Sequence, residues 1–167
     1  MIEPEEFLNF IKSRRSIRAY QDKSIPEKEI EMILEAGRWT PSASNRQPWQ
    51  FILIRNKETL KKMAQATGYG WFIAEAAFAI AIIGKKRTSR KWYIIDTSLV
   101  SMNMMLMAWS LGIGTCWIGS MKKEQVKKLL ELNEKDYLLT VLPFGYIRGK
   151  IPEPTYRKPL KKIVKEI

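Results

Sequence analysis

Apolar residues recur at helical spacing over two N-terminal stretches. Phe7, Leu8 and Ile11 share one side of a segment opened by Pro4, which predicts a helix ending near Ser13. Ile30, Ile33 and Leu34 repeat the pattern after Pro26, and Gly37 marks the expected stop. Trp49 to Ile54 then reads as a strand and Glu58 to Ala66 as an amphipathic helix. Ala77 to Ile83 is an unbroken apolar run of strand length, the pattern of a strand covered on both faces. Ile94 to Leu111 predicts a helix apolar on most sides, ended by Gly112-Ile113-Gly114, with a short strand-like piece over Thr115 to Ile118. A basic amphipathic helix near Glu124 to Leu132 precedes a last strand, Tyr137 to Leu142. Strands alternating with helices argue α/β or α+β layers.

No charged residue lies between Asp96 and Lys122, which is long enough to raise a membrane span. The glycine break after Leu111 and the polar Ser98, Ser101, Asn103 and Ser110 argue instead for a core or interface helix. A chain of 167 residues would struggle to cover every face of that helix. The stretch around Val100, Met104, Met107 and Leu111 is therefore expected to pair with a second copy. The acidic start, Met1 to Glu6, lacks the layout of a signal peptide, so a cytoplasmic protein is expected. The length fits a single domain, residues 1–167. From Gly149 onward Pro152, Pro154 and Pro159 predict an extended arm.

Composition narrows the chemistry. The sequence has no histidine, which excludes Ser-His-Asp triads, Cys-His pairs, HExxH zinc sites and imidazole acid–base catalysis. A lone Cys116 excludes an internal disulfide and a thiolate zinc cluster. Any enzyme built from this chain works through carboxylates, lysines or a borrowed cofactor. Lysine and arginine total 29 against 17 acidic residues, a formal charge of +12, which suits an anionic ligand.

Three segments offer chemistry. Arg14, Arg15, Ser16 and Arg18 place three guanidiniums and a hydroxyl within five residues, and the planar guanidinium fork matches phosphate oxygens. A solvated basic turn would have the same composition. Pro41-Ser42-Ala43-Ser44-Asn45-Arg46-Gln47-Pro48 is a stiff loop whose Asn and Gln amides each donate and accept, as reading a heterocycle edge requires. Without a ligand it is a polar connection. Gly112-Ile113-Gly114-Thr115-Cys116-Trp117-Ile118-Gly119 permits close backbone approach to a flat ligand, or simply stops a helix before a buried strand. Cys116 reads as a small buried hydrophobe.

Taken in order, Arg-Arg-Ser-Ile-Arg, Pro-Ser-Ala-Ser-Asn-Arg-Gln-Pro-Trp-Gln-Phe, Leu-Gly-Ile-Gly-Thr-Cys-Trp-Ile-Gly and Pro-Thr-Tyr-Arg-Lys-Pro-Leu resemble the FMN-dependent nitroreductase family over nearly the whole chain. The resemblance implies an α+β fold with a central, mostly antiparallel sheet flanked by helices. It also implies an intertwined homodimer, with the C-terminal arm (about 149–167) extending over the partner. Two FMN molecules would sit at the interface. Arg14, Arg15, Ser16 and Arg18 would hold the phosphate, ribityl chain and pyrimidine edge. Pro41, Ser42, Ala43, Asn45 and Gln47 would reach the same flavin from the partner. Trp117, Ile118 and Gly119 would lie beside the isoalloxazine, and Arg157 would return to the phosphate.

The implied activity is ping-pong hydride transfer from NADH or NADPH through flavin N5 to nitroaromatic, quinone or flavin acceptors, with no obligatory catalytic side chain and no metal. Against the resemblance, the chain departs from some longer members, which have a glutamate near the flavin N5 where Gly119 stands here and a lysine where Thr155 stands. Two other readings compete. One is another FMN reaction of this fold, reductive dehalogenation or flavin fragmentation. The other is a basic nucleic-acid-binding module resting on Lys85 to Lys91.

Overall fold

The computed structural model describes residues 2–167. Helix α1 (Pro4–Ser13) starts where proline costs no hydrogen bond, with Glu5 and Glu6 in its first turn and Lys12 in its last to complement the dipole. Helix α2 (Glu27–Arg38) runs one residue past Gly37, which corrects the expected stop. A Cβ at Gly37 would collide with the Met104 side chain, so this glycine serves close helix packing rather than termination.

Four strands form one sheet in the order β1-β2-β4-β3, every pair antiparallel. They are β1 (Trp49–Ile54), β2 (Phe78–Gly84), β3 (Ile113–Thr115) and β4 (Tyr137–Tyr146). The antiparallel ladder makes the fold α+β. Two strand boundaries move. β3 lies earlier than the expected Thr115 to Ile118 piece, of which Ile118 keeps only an isolated bridge to Val141. β4 continues through Pro143 to Tyr146, beside β2 and β3.

Every residue of β2 is buried, as its unbroken apolar run requires. Phe78, Ile80 and Ile82 join Ile33 of α2 and Val100 and Met104 of α4 (Tyr93–Ser110) in one core. Ala79, Ala81 and Ile83 join Leu60 and Met63 of α3 (Lys57–Gln65) and Val126 of α5 (Lys123–Leu129) in the other. The period of two along β2 thus feeds both layers. Among the described residues no helix is long and apolar enough to cross a membrane.

The surface left uncovered differs from expectation. Val100 and Met104 lie fully inside the chain's own core, so they are not the face available to a second copy. The exposed stripe of α4 is Ile95, Leu99 and Met102, at 50%, 46% and 39% exposure. α1 buries no residue, leaving Phe7, Leu8 and Ile11 in contact with solvent. Residues 148–167 are exposed throughout.

The basic N-terminal segment is clamped across the β3 end of the sheet. Ser16 bridges Thr115 in parallel, and Ile17 N–H donates to the Thr115 carbonyl at 3.0 Å. Further on, Gln21 N–H donates to the Tyr146 carbonyl at 2.8 Å. Two glycines let the segment lie this close: a Cβ at Gly114 would sit 2.7 Å from Ile17, and one at Gly145 would sit 2.7 Å from Tyr20. Tyr20 is 1% exposed and has no room to retreat. Gly145→Ala should therefore destabilise the fold by about 1–3 kcal/mol, the usual range for overpacking. Thermal unfolding checks this, and an unchanged Tm would show that the segment is not held against β4.

Candidate functional site

Where α1 ends, Arg14 is half-buried and its Nη1 is buried without a hydrogen-bond partner. Burial holds its pKa below the usual arginine value, and repulsion from Arg157 and Arg15 adds to the effect. The structure thus gathers three guanidiniums from opposite ends of the chain. They do not do the same thing. Arg15 Nη1 donates to the carbonyls of Lys12 (2.7 Å), Ser13 (2.9 Å) and Arg14 (2.9 Å), and its Nε to that of Pro152 (3.0 Å). It satisfies carbonyls left open at the end of α1 and ties down the start of the arm. Arg157 Nη1 is turned onto its own arm, donating to Thr155 O and Tyr156 O, each at 3.1 Å.

Ser16 and Arg18 flank Cys116, which is 3% exposed. Burial pushes the Cys116 thiol up, against the opposing pull of Arg18, Ser16 and Arg14. A buried, protonated thiol is inert as a nucleophile, in keeping with its reading as a small hydrophobe. Arg18, Trp117, Ile118 and Gly119 line one small cleft of roughly 100 Å³. Tyr69 and Ser120 line it too, and sequence reasoning missed both. The available signal was Gly68-Tyr69-Gly70, an aromatic between two glycines in a stretch assigned to no element.

The Pro41 to Gln47 loop lies elsewhere. Ser44, Asn45 and Gln47 all take left-handed backbone, with φ of 53°, 52° and 49°. Asn tolerates that region, but three non-glycine residues there within four positions is a strained arrangement of the kind that clusters at ligand sites. Polar contacts hold it. Gln47 N–H donates to Ser42 Oγ at 2.9 Å, and Gln47 Nε2 to Asn45 Oδ1 at 3.1 Å. Ala43 N–H donates to Asp96 Oδ1 at 3.2 Å, while Asp96 is 3% exposed and its Oδ2 has no partner. Asp96 is a third residue that sequence reasoning missed, although it is the one carboxylate bordering the uncharged stretch.

The two halves meet α4 at different points along its length. Trp109 Nε1 donates to Ser13 Oγ at 2.8 Å beside Arg14, whereas Asp96 holds Ala43 near the other end. Between Asp96 and Trp109 the helix rises about 20 Å. Arg14, Arg15, Ser16, Arg18, Trp117, Ile118, Gly119 and Arg157 therefore cluster at one end of the chain. Pro41, Ser42, Ala43, Asn45 and Gln47 belong to the other, and one chain does not join them.

Residues 11–77 and 66–146 match the model of the Nitroreductase family. The chain is 38% identical over 149 residues to an Archaeoglobus fulgidus protein named "Putative NADH dehydrogenase/NAD(P)H nitroreductase", covering 85% of this chain and 86% of that one. A Parabacteroides distasonis crystal structure of the same name superposes with a TM-score of 0.90 at 29% identity, over 96% of this chain and 97% of that chain. An FMN-dependent nitroreductase from Clostridium difficile superposes with a TM-score of 0.82 at 29% identity, over 90% and 91% of the two chains.

Proposed function

The chain belongs to the nitroreductase family, and from that premise we propose that it is an FMN-dependent NAD(P)H oxidoreductase. It works as a homodimer and passes electrons to nitroaromatic, quinone or flavin acceptors by a ping-pong route. The observation that carries this reading is Arg14, a half-buried cation with an unpartnered buried nitrogen and two further guanidiniums near it. A cation in that setting is complete only with an anion, and a phosphate monoester fits the charge and the fork.

In this reading Arg14, Arg15, Ser16 and Arg157 hold the FMN phosphate and the chain attached to it, with Arg157 turning off its own arm to do so. The free Nη2 of Arg15 is what remains of that side chain after α1 is capped. Arg18 and the Trp117 to Gly119 backbone support the ring system at the small cleft. FMN, when held there, would supply the two-electron redox chemistry that the chain's own side chains lack. Arg18, at the small cleft, would supply a cation to stabilise the negative charge of a reduced flavin held there. Proton delivery is left to water, since the thiol of Cys116 is buried and protonated and the chain has no imidazole.

Dimerisation follows from the separation of the half-sites. Ala43 is tied to Asp96, which lies about 20 Å along α4 from the Trp109 that holds Ser13 beside Arg14, so in this reading Pro41, Ser42, Ala43, Asn45 and Gln47 serve the flavin bound at the partner's basic segment. The left-handed loop presents its amides preformed, which spares the entropy of ordering them on binding. The exposed stripe of α4, the uncovered α1 face and the arm from 149 to 167 are the surfaces a second copy would cover.

The decisive experiment is anaerobic. NADH or NADPH alone should bleach the flavin band of the yellow protein, and a quinone or nitroaromatic added afterwards should restore it. Initial-rate plots against donor concentration should be parallel at different acceptor concentrations. A flavin that stays oxidised with both donors would end the reductase assignment.

A further inference from the structure

A second cleft is larger than the one beside Arg18. It measures roughly 470 Å³ and is lined by Lys86, Arg87, Arg90, Lys135 and Glu134. Four cations and one carboxylate converge there from the β2–α4 loop and the loop before β4. Among the described residues none of the four cations makes an ion pair. The walls are fixed from beneath: Lys85 Nζ meets Asp136 Oδ2 at 2.8 Å, and Lys127 Nζ donates to the Glu134 carbonyl at 2.9 Å. Four exposed cations that converge on one hollow raise the local positive potential, so the arrangement favours a compact, multiply charged anion.

The cleft adjoins the left-handed loop. Lys85 N–H donates to the Pro48 carbonyl at 2.8 Å, and Gly84 stands opposite Trp49 in the ladder. Asp96, which holds Ala43, lies one turn into the helix that the basic loop leads to. If that loop faces the flavin of the partner's half-site, as proposed above, the basic cleft lies beside the place where the nicotinamide donor must dock. NADPH differs from NADH by a dianionic phosphate on the adenosine ribose. We propose that Lys86, Arg87, Arg90 and Lys135 bind that 2′-phosphate and make NADPH the preferred donor. Glu134 among the cations argues against a track of nucleic-acid phosphates, which needs a continuous basic stripe.

Two measurements on the full-length protein test this. The first needs no flavin chemistry: calorimetric titration with adenosine 2′,5′-bisphosphate and, separately, with 5′-AMP. Wild type should bind the bisphosphate about tenfold or more tightly than 5′-AMP, and Arg87→Ala/Arg90→Ala should abolish the difference. The second is the kcat/KM ratio of NADPH to NADH. It should fall by about tenfold or more in the double variant, and the wild-type ratio should fall as salt rises. Retained preference for the bisphosphate in a folded double variant would overturn the proposal, whether or not the protein carries FMN. An unchanged donor ratio in a flavin-loaded double variant would overturn it equally. So would a mobility shift with duplex DNA that the double variant loses while the donor ratio stays constant. Failure of the reductase reading shows itself differently, as a colourless protein whose bisphosphate binding can still be measured.

Discussion

Replacing Arg14 with alanine should weaken FMN binding by about 10- to 150-fold, the equivalent of about 1.5–3 kcal/mol for a hydrogen bond to a charged group. Arg14 is the guanidinium of the cluster that is half-buried with an unpartnered nitrogen, so the loss cannot be made good by water as it would be at an exposed site. The comparison is with Arg87→Ala, which removes an equal charge from an exposed loop and should leave FMN affinity within about twofold. Arg15→Ala should behave differently from both. Its guanidinium holds the α1 carbonyls and Pro152, so its loss should lower stability and loosen the arm as well as the flavin. Fluorescence titration of the apoprotein with FMN, alongside thermal melts, separates the three. Equal and small effects from Arg14→Ala and Arg87→Ala would place the phosphate elsewhere.

A charge at Leu99 should split the proposed dimer. Ile95, Leu99 and Met102 follow one another at i, i+4 and i+7 on the outward side of α4, so Leu99→Glu places a carboxylate in the middle of that stripe. Burying an unpaired charge in an apolar interface costs about 3–5 kcal/mol, enough to shift dissociation by a hundredfold or more. The monomer should still fold, because Leu99 is 46% exposed in the single chain. Met104→Glu would instead break the core against Gly37 and report on folding. With the half-sites apart along α4, the Leu99→Glu monomer should lose FMN affinity although Leu99 belongs to neither half. Ligand and dimer stabilise one another by linkage, so FMN should in turn raise the proportion of wild-type dimer on dilution. Sedimentation with flavin fluorescence over a dilution series measures both. A monomer with undiminished FMN affinity would refute the shared site.

Residue chemistry and local period made much of this protein legible without coordinates. A period of 3.6 or 2, a proline in a first turn and a helix closed at Gly112 with φ 71° are decided by neighbours a few positions apart. The same holds for which side chains suit an anion: Arg14 and Arg18 announce themselves by type, and the amides of Asn45 and Gln47 by theirs. The missing histidine alone removed whole classes of mechanism.

What the sequence could not decide depended on residues far apart in the chain. Alternating strands and helices suit parallel and antiparallel sheets alike, and only the pairing of Phe78 with Phe144 and of Trp49 with Gly84 made this one antiparallel. Gly37 looked like a helix stop because the approach of Met104, on another helix, is invisible to local pattern. An apolar stretch does not say which of its faces turns inward, so Val100 and Met104 were indistinguishable from Ile95 and Leu99 until α2 and the sheet covered one side. Nor does composition say which of several arginines a helix end will claim: Arg15 went to the carbonyls of α1, while Arg14 kept a nitrogen unpartnered. Element type and site chemistry are local properties and were written in the residues. Strand order, inward faces and the separation of the half-sites along α4 are set by packing between distant segments, which only the folded chain brings together.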